Sequence, residues 1–131
     1  MRIALLSWES LHSIAVGGIA PHVTELAAAL QRAGNEVHVF TRIGQGQPLY
    51  EVIDGVHYHR CPHDLNPDFI EEMNNLCRSF AYHFFRTENI SGSFDITHGH
   101  DWMTANALAE IKKARNKKTV FTLHSTEYGR C

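Results

Sequence analysis

Several things this chain lacks narrow its chemistry. No apolar run approaches the ~20 residues that a membrane helix needs. A single basic residue, Arg2, precedes the first short run, IALLS, so no signal peptide is expected. Cysteine is scarce and odd in number: Cys61, Cys77 and Cys131, with no CxxC. Reduced thiols in a cytoplasmic protein fit this better than a disulfide framework. Basic residues do not dominate either, at 12 Lys and Arg against 14 Asp and Glu, a formal net charge of -2. No basic stripe stands out, so no nucleic-acid partner is expected. There is no GxxxxGK[ST], which removes a P-loop kinase or ATPase, and no GxGxxG. The second apolar strand ends in Thr41-Arg42, where a dinucleotide enzyme would carry an acid for the ribose. HExxH is missing, and so are internal repeats and low-complexity tracts.

What is present suits one domain with one core: 131 residues, 44% hydrophobic and 20% charged. IALLS reads as a strand buried on both faces. IAPHVTELAAALQRAG carries Val23, Leu26, Ala27 and Leu30 on one helical face, with Pro21 in the first turn and Gly34 as the stop. EVHVFTR is the next strand, which completes a right-handed parallel βαβ unit. In YEVIDGVHYHR the pair Asp54-Gly55 marks a tight hairpin. NPDFIEEMNNLCRSFAYHFFRT is a long amphipathic helix with a core stripe of Phe69, Met73, Leu76, Phe80 and Phe84, flanked by Ile70, Cys77 and Ala81. ENISGS is read as a break. FDITHGH is a strand, DWMTANALAEIKKARNK a helix with Asp101 as candidate N-cap, and KTVFTLH a last strand. This alternation predicts an α/β fold: an open, mainly parallel sheet with flanking helices and one β-hairpin.

In such a sheet, ligands bind beyond the carboxyl ends of the strands. Those ends carry Ser7, Trp8, Glu9 and Gly17-Gly18 after the first strand. They carry His98, Gly99, His100 and Asp101 after the strand FDITHGH, and His124, Ser125, Thr126 and Glu127 after the last. Glycines before a helix start allow a phosphate to approach free N–H groups. The basic cluster Lys112, Lys113, Arg115, Lys117 and Lys118 falls at a helix end, where the dipole favours cations, and is read that way.

Ten histidines raise the question of a metal. His57 and His59 share one face of the hairpin, but the sequence places no third ligand, so they are read as exposed hairpin residues. The stretch FDITHGHDWMT leaves three readings: a metal site, a catalytic or sugar-binding corner, or an ordinary strand end. The ligand count disfavours the first, and the rim position favours the second. Asp101 as a cap and Trp102 as a packing residue remain equally good structural readings.

Three segments in order, GGIAPHVTELAAALQRAGNEVHVFT, DITHGHDWMT and TLHSTEYGR, resemble the N-terminal half of retaining GT-B glycosyltransferases. That group includes glycogen and starch synthases and sucrose-synthase-like enzymes. The resemblance implies two Rossmann-like domains across a cleft, the N-terminal one holding mainly the acceptor and the other mainly the nucleotide-sugar donor. It implies no resident cofactor and no metal. Gly17 and Gly18 resemble the glycines that approach the donor diphosphate. His100 resembles the histidine that contacts the donor sugar near the reacting centre, with catalytic weight. Asp101, Trp102, His124 and Glu127 match positions that shape the cleft. Val16 stands where glycogen and starch synthases carry lysine, a departure from an ADP-glucose-type donor contact.

KTVFTLHSTEYGRC opens with the last apolar strand and shows no closing helix after it. The expectation is therefore that residues 1–131 form an incomplete N-terminal, acceptor-side domain, inactive alone and prone to self-association along an open edge. The alternative is a non-catalytic α/β module of the same ancestry that binds a sugar or phosphate.

Overall fold

The computed structural model describes residues 1–15 and 18–123. The chain runs β1 (Arg2–Leu6), α1 (Ile19–Arg32), β2 (Glu36–Arg42), β3 (Tyr50–Ile53), β4 (Val56–Cys61), α2 (Phe69–Ser91), β5 (Ile96–His100), α3 (Ala105–Arg115) and β6 (Lys118–Thr122). A 3-10 turn over Trp102–Thr104 leads into α3. All six strands form one sheet in the order β3-β4-β2-β1-β5-β6. β3 pairs antiparallel with β4, and every other pairing is parallel. The mainly parallel sheet with one hairpin is the expected architecture.

Local chemistry explains the elements. Asp54 and Gly55 both take positive φ, 53° and 76°, as a two-residue hairpin turn requires. Gly34, at φ 101°, follows α1 and supplies the left-handed stop. Asp68 caps α2 by accepting from the Ile70 N–H at 2.9 Å. The helix then runs past the expected break at ENISGS and stops only at Gly92, φ 107°. Glu88 is the reason. Its buried carboxylate accepts from the Phe94 N–H at 2.8 Å and pairs with Lys117 at 2.6 Å and Arg115 at 3.3 Å. Arg115 and Lys117 of the basic cluster thus serve the fold.

The two faces of the sheet bury different sets. On one, α1 lays Val23 and Ala27 on Ile3, Leu5, Val37, Val39, Val56 and Tyr58. On the other, α2 and α3 cover Ala4, Leu6, Phe40 and Cys61 with Met73, Leu76, Phe80, Phe84 and Ile111. Each large side chain removed from water there contributes about 2 kcal/mol before entropy is counted. Phe69 and Ile70 depart from the expected stripe, being 44% and 49% exposed.

The chain winds outward from β1 to β2 and β4, then crosses through α2 to β5 on the other side of β1. The winding therefore reverses between β1 and β5, and a ligand crevice belongs outside the carboxyl ends of those two strands.

Candidate functional site

At the end of β1 the chain is tied down before it reaches α1. The Ser7 N–H donates to the Phe40 carbonyl at 3.0 Å, and the Ser7 hydroxyl donates to the Glu9 carbonyl at 2.8 Å. The Leu11 N–H donates to Thr24 Oγ1 at 3.0 Å, and the buried Arg60 guanidinium donates to the His12 carbonyl at 2.8 Å. Glu9 is only 1% exposed, and its Oε1 accepts from the Ala20 N–H at 3.0 Å. The first turn of α1 therefore receives a carboxylate from the protein itself, where dipole and free donors attract negative charge. Gly18 precedes that turn at φ −71°. A Cβ there would meet nothing within 4 Å. Neither backbone geometry nor crowding among the described residues requires glycine at this position, whereas close approach of an outside group would.

At the end of β5 the backbone is strained. Asp101 adopts φ 68° and ψ 167°, a region almost reserved for glycine that costs of order 1–3 kcal/mol. Its N–H donates to the Thr122 carbonyl at 2.8 Å, and its carboxylate accepts from the Trp102 N–H at 3.0 Å. Asp101 thus caps the 3-10 turn rather than α3 directly. Strand alternation brings His98 and His100 to one face, with ring centroids 4.1 Å apart. His98 Nε2 lies 2.6 Å from Thr122 Oγ1, which ties β5 to β6. His100 is fully buried, and the His22 ring from the first turn of α1 meets it edge-on at 5.9 Å. Gly99 faces the opposite side, where a Cβ would stand 2.4 Å from Leu108 Cδ1 and 2.6 Å from Thr104 Oγ1. Glycine at this point lets the start of α3 press against the strand.

Beside the histidines lies an aromatic corner. Phe69 meets Trp8 edge-on at 6.4 Å and Trp102 at 5.8 Å. The Arg42 guanidinium sits 4.2 Å over the Trp8 ring, and its Nε donates to the Trp8 carbonyl at 2.5 Å. Burial pushes the Arg42 pKa down, while the nearby Glu9 and Glu72 carboxylates oppose that shift. Trp8 Nε1, Trp102 Nε1 and Arg42 Nη2 are buried donors with no hydrogen-bond partner among the described residues. Leaving one such donor unmet costs about 1–3 kcal/mol, so three at one corner call for acceptors beyond the described residues.

Of the residues expected at the site, Gly18, His100, Asp101 and Trp102 stand at this rim. Gly17, His124 and Glu127 lie outside the described residues. Arg42 and Phe69 were missed. Arg42 was legible as the last residue of the second strand, whereas Phe69 looked like core because its helical spacing continues the stripe.

The model of glycosyltransferase family 4 matches residues 16–130. An uncharacterized glycosyltransferase of Methanocaldococcus jannaschii is 38% identical over 133 aligned residues, covering 100% of this chain and 33% of that protein. A glycogen synthase of Mycobacterium tuberculosis is 29% identical over 147, covering 99% of this chain and 35% of its own length. Among solved structures, the sucrose-phosphate synthase of Thermosynechococcus elongatus superposes with a TM-score of 0.73 at 20% identity, over 95% of this chain and 33% of that one. The chain thus spans about a third of the length of the relatives it matches, and its fold is that of an N-terminal GT-B domain.

Proposed function

The chain belongs to glycosyltransferase family 4, and from that premise we propose that it is the acceptor-side domain of a retaining enzyme. The reaction moves a sugar from a nucleotide-sugar donor to a hydroxyl of a glycan or other acceptor, in the cytoplasm. The observation that carries the acceptor assignment is the trio of buried donors, Trp8 Nε1, Trp102 Nε1 and Arg42 Nη2, that have no partner among the described residues and are set among aromatic faces. A sugar offers hydroxyl oxygens for such donors and C–H faces for the rings.

His100 and Asp101 supply the reacting corner, and the backbone before α1 at Gly17-Gly18 receives the donor diphosphate. His124 and Glu127 are further substrate-binding residues in this reading. Both His100 and Asp101 are fully buried, so contact with a sugar requires their neighbours to shift. In the transfer, the bond from the anomeric carbon to the diphosphate breaks as the acceptor oxygen bonds to that carbon on the same face. The acceptor proton passes to the departing phosphate, whose charge is stabilised by N–H groups and cations. Most of the donor contacts lie in a second domain, so these 131 residues alone do not turn over.

The test uses the chain joined to its donor domain. Arg42→Gln should raise the acceptor KM about tenfold with the donor KM unchanged, the loss of a charged hydrogen bond. His100→Gln should lower kcat about 100-fold with the melting temperature retained. Unchanged kinetics in both variants would remove the assignment. Turnover by residues 1–131 with any nucleotide sugar and acceptor would remove the claim of inactivity.

A further inference from the structure

At the opposite rim, by the amino ends of β2 and β4, a second polar cluster has no part in the proposed reaction. β2 directs Glu36 and His38 to the α2 face of the sheet, and β4 directs His57 and His59 to the same face, with His38 beside His57 in register. The two hairpin histidines are only partly exposed, and β2 supplies the further ligands that the sequence did not place. One ligand atom from each of Glu36, His38 and His57 lies within 4.8 Å of the others. They line a cavity of about 520 Å³ between β2, the hairpin and α2.

We propose that Glu36, His38 and His57 form a binding site for a divalent transition-metal ion of the zinc type. Two imidazoles and one carboxylate leave a fourth position open for water, a ligand set suited to zinc. The groups that would orient the ligands are already in place. His38 Nδ1 lies 2.8 Å from His59 Nε2, and His57 Nδ1 lies 2.5 Å from Tyr50 Oη. His57 can donate its Nδ1–H to Tyr50 and turn Nε2 to the ion, whereas His38 must first move its proton from Nε2, where it bonds Glu36 Oε2, to Nδ1, where His59 Nε2 accepts it; both then have the usual support of a metal-bound imidazole.

Glu36 uses Oε2 for Arg2 at 2.9 Å and for His38 Nε2 at 2.7 Å. Its Oε1 makes no hydrogen bond among the described residues and is the oxygen offered. Without an ion, the His38 and His57 rings stack at 4.3 Å. Coordination requires both to tilt about χ2, a broad torsion. Arg2 and Arg86 face the cluster and penalise a hard cation held by charge alone. Imidazole ligands favour zinc, nickel or copper over magnesium or calcium. An ion here would bridge β2 to β4 and clamp the sheet far from the sugar corner, acting on stability rather than on transfer.

The chain, freed of metal with a chelator, is titrated with zinc chloride by calorimetry and by thermal melting. One equivalent should bind and raise the melting temperature, magnesium should do neither, and cobalt(II) should give the intense visible bands of a four-coordinate site. His57→Ala and Glu36→Gln alter partly exposed side chains, so both variants should stay folded, and each should weaken zinc at least tenfold. The proposal fails if the parent chain binds no zinc at one equivalent. It fails equally if either variant, folded by circular dichroism, binds as tightly as the parent.

Discussion

Asp101 concentrates the tension of the fold in one residue. Its φ of 68° and ψ of 167° are natural only for glycine, yet its carboxylate caps the turn that follows. Asp101→Ala keeps the strain and loses the cap, whereas Asp101→Gly loses the cap but relieves the strain. Alanine should therefore be the less stable variant by about 1 kcal/mol or more, read from urea midpoints. Equal stabilities would mean that the strain is not stored there. The histidines of β2 and β4 give a second expectation. Burial lowers the pKa of His38 to about 4 and that of His59 to about 3, from an ordinary 6.5. Between pH 6.5 and those values the unfolded chain binds protons that the folded one refuses. Stability is full above pH 6.5 and falls as the pH drops toward 4, by up to about 1.4 kcal/mol per pH unit for each histidine. Urea midpoints in chelator at pH 7.5 and 5 would show it, and His59→Phe should flatten the slope. The sequence made His100 and Asp101 visible through their place after an apolar strand. It could not reveal that His57 is half-buried, because burial there depends on α2 closing over a neighbouring strand.

Gly99 shows what an element demands of one position. It separates the two histidines of β5 and admits α3, whose Leu108 and Thr104 stand where a Cβ would be. Gly99→Ala should cost about 1–3 kcal/mol through overpacking. At about 4 °C per kcal/mol for a domain of this size, the melting temperature should fall by several degrees. A variant melting with the parent would show that α3 can yield. Most elements were legible because their periods are plain: α1 by its apolar face, the hairpin by Asp54-Gly55. The end of α2 was not. ENISGS reads as a breaker, but a carboxylate at Glu88, satisfied by Lys117 and Arg115 from a later element, carries the helix on to Ser91. Short-range pattern cannot contain a partner that lies 27 residues away.

On the scale of the whole molecule, β6 is an edge of the sheet among the described residues, with Val120 46% and Phe121 45% exposed. An apolar edge of this kind pairs with another chain unless it is covered or charged. Residues 1–131 should dimerise with rising concentration, and Phe121→Lys should restore a monomer in light scattering. A monomer at high concentration without that change would show the edge to be protected.

The order of the strands also sets an order of events. β1 is the first strand made and a central one. It meets β2 within 34 residues but must wait about 90 for β5. Local pairings close early and distant ones late. The half formed by β1, α1, β2 and the hairpin can gather first, and the seam between β1 and β5 zips last. His100 and Asp101 stand on that seam, and the His22 ring from the early half meets His100 edge-on. The corner proposed to handle sugar is complete only once that seam has closed. Pulse-labelled hydrogen exchange would reveal it, with the amides of β5 protected after those of β2.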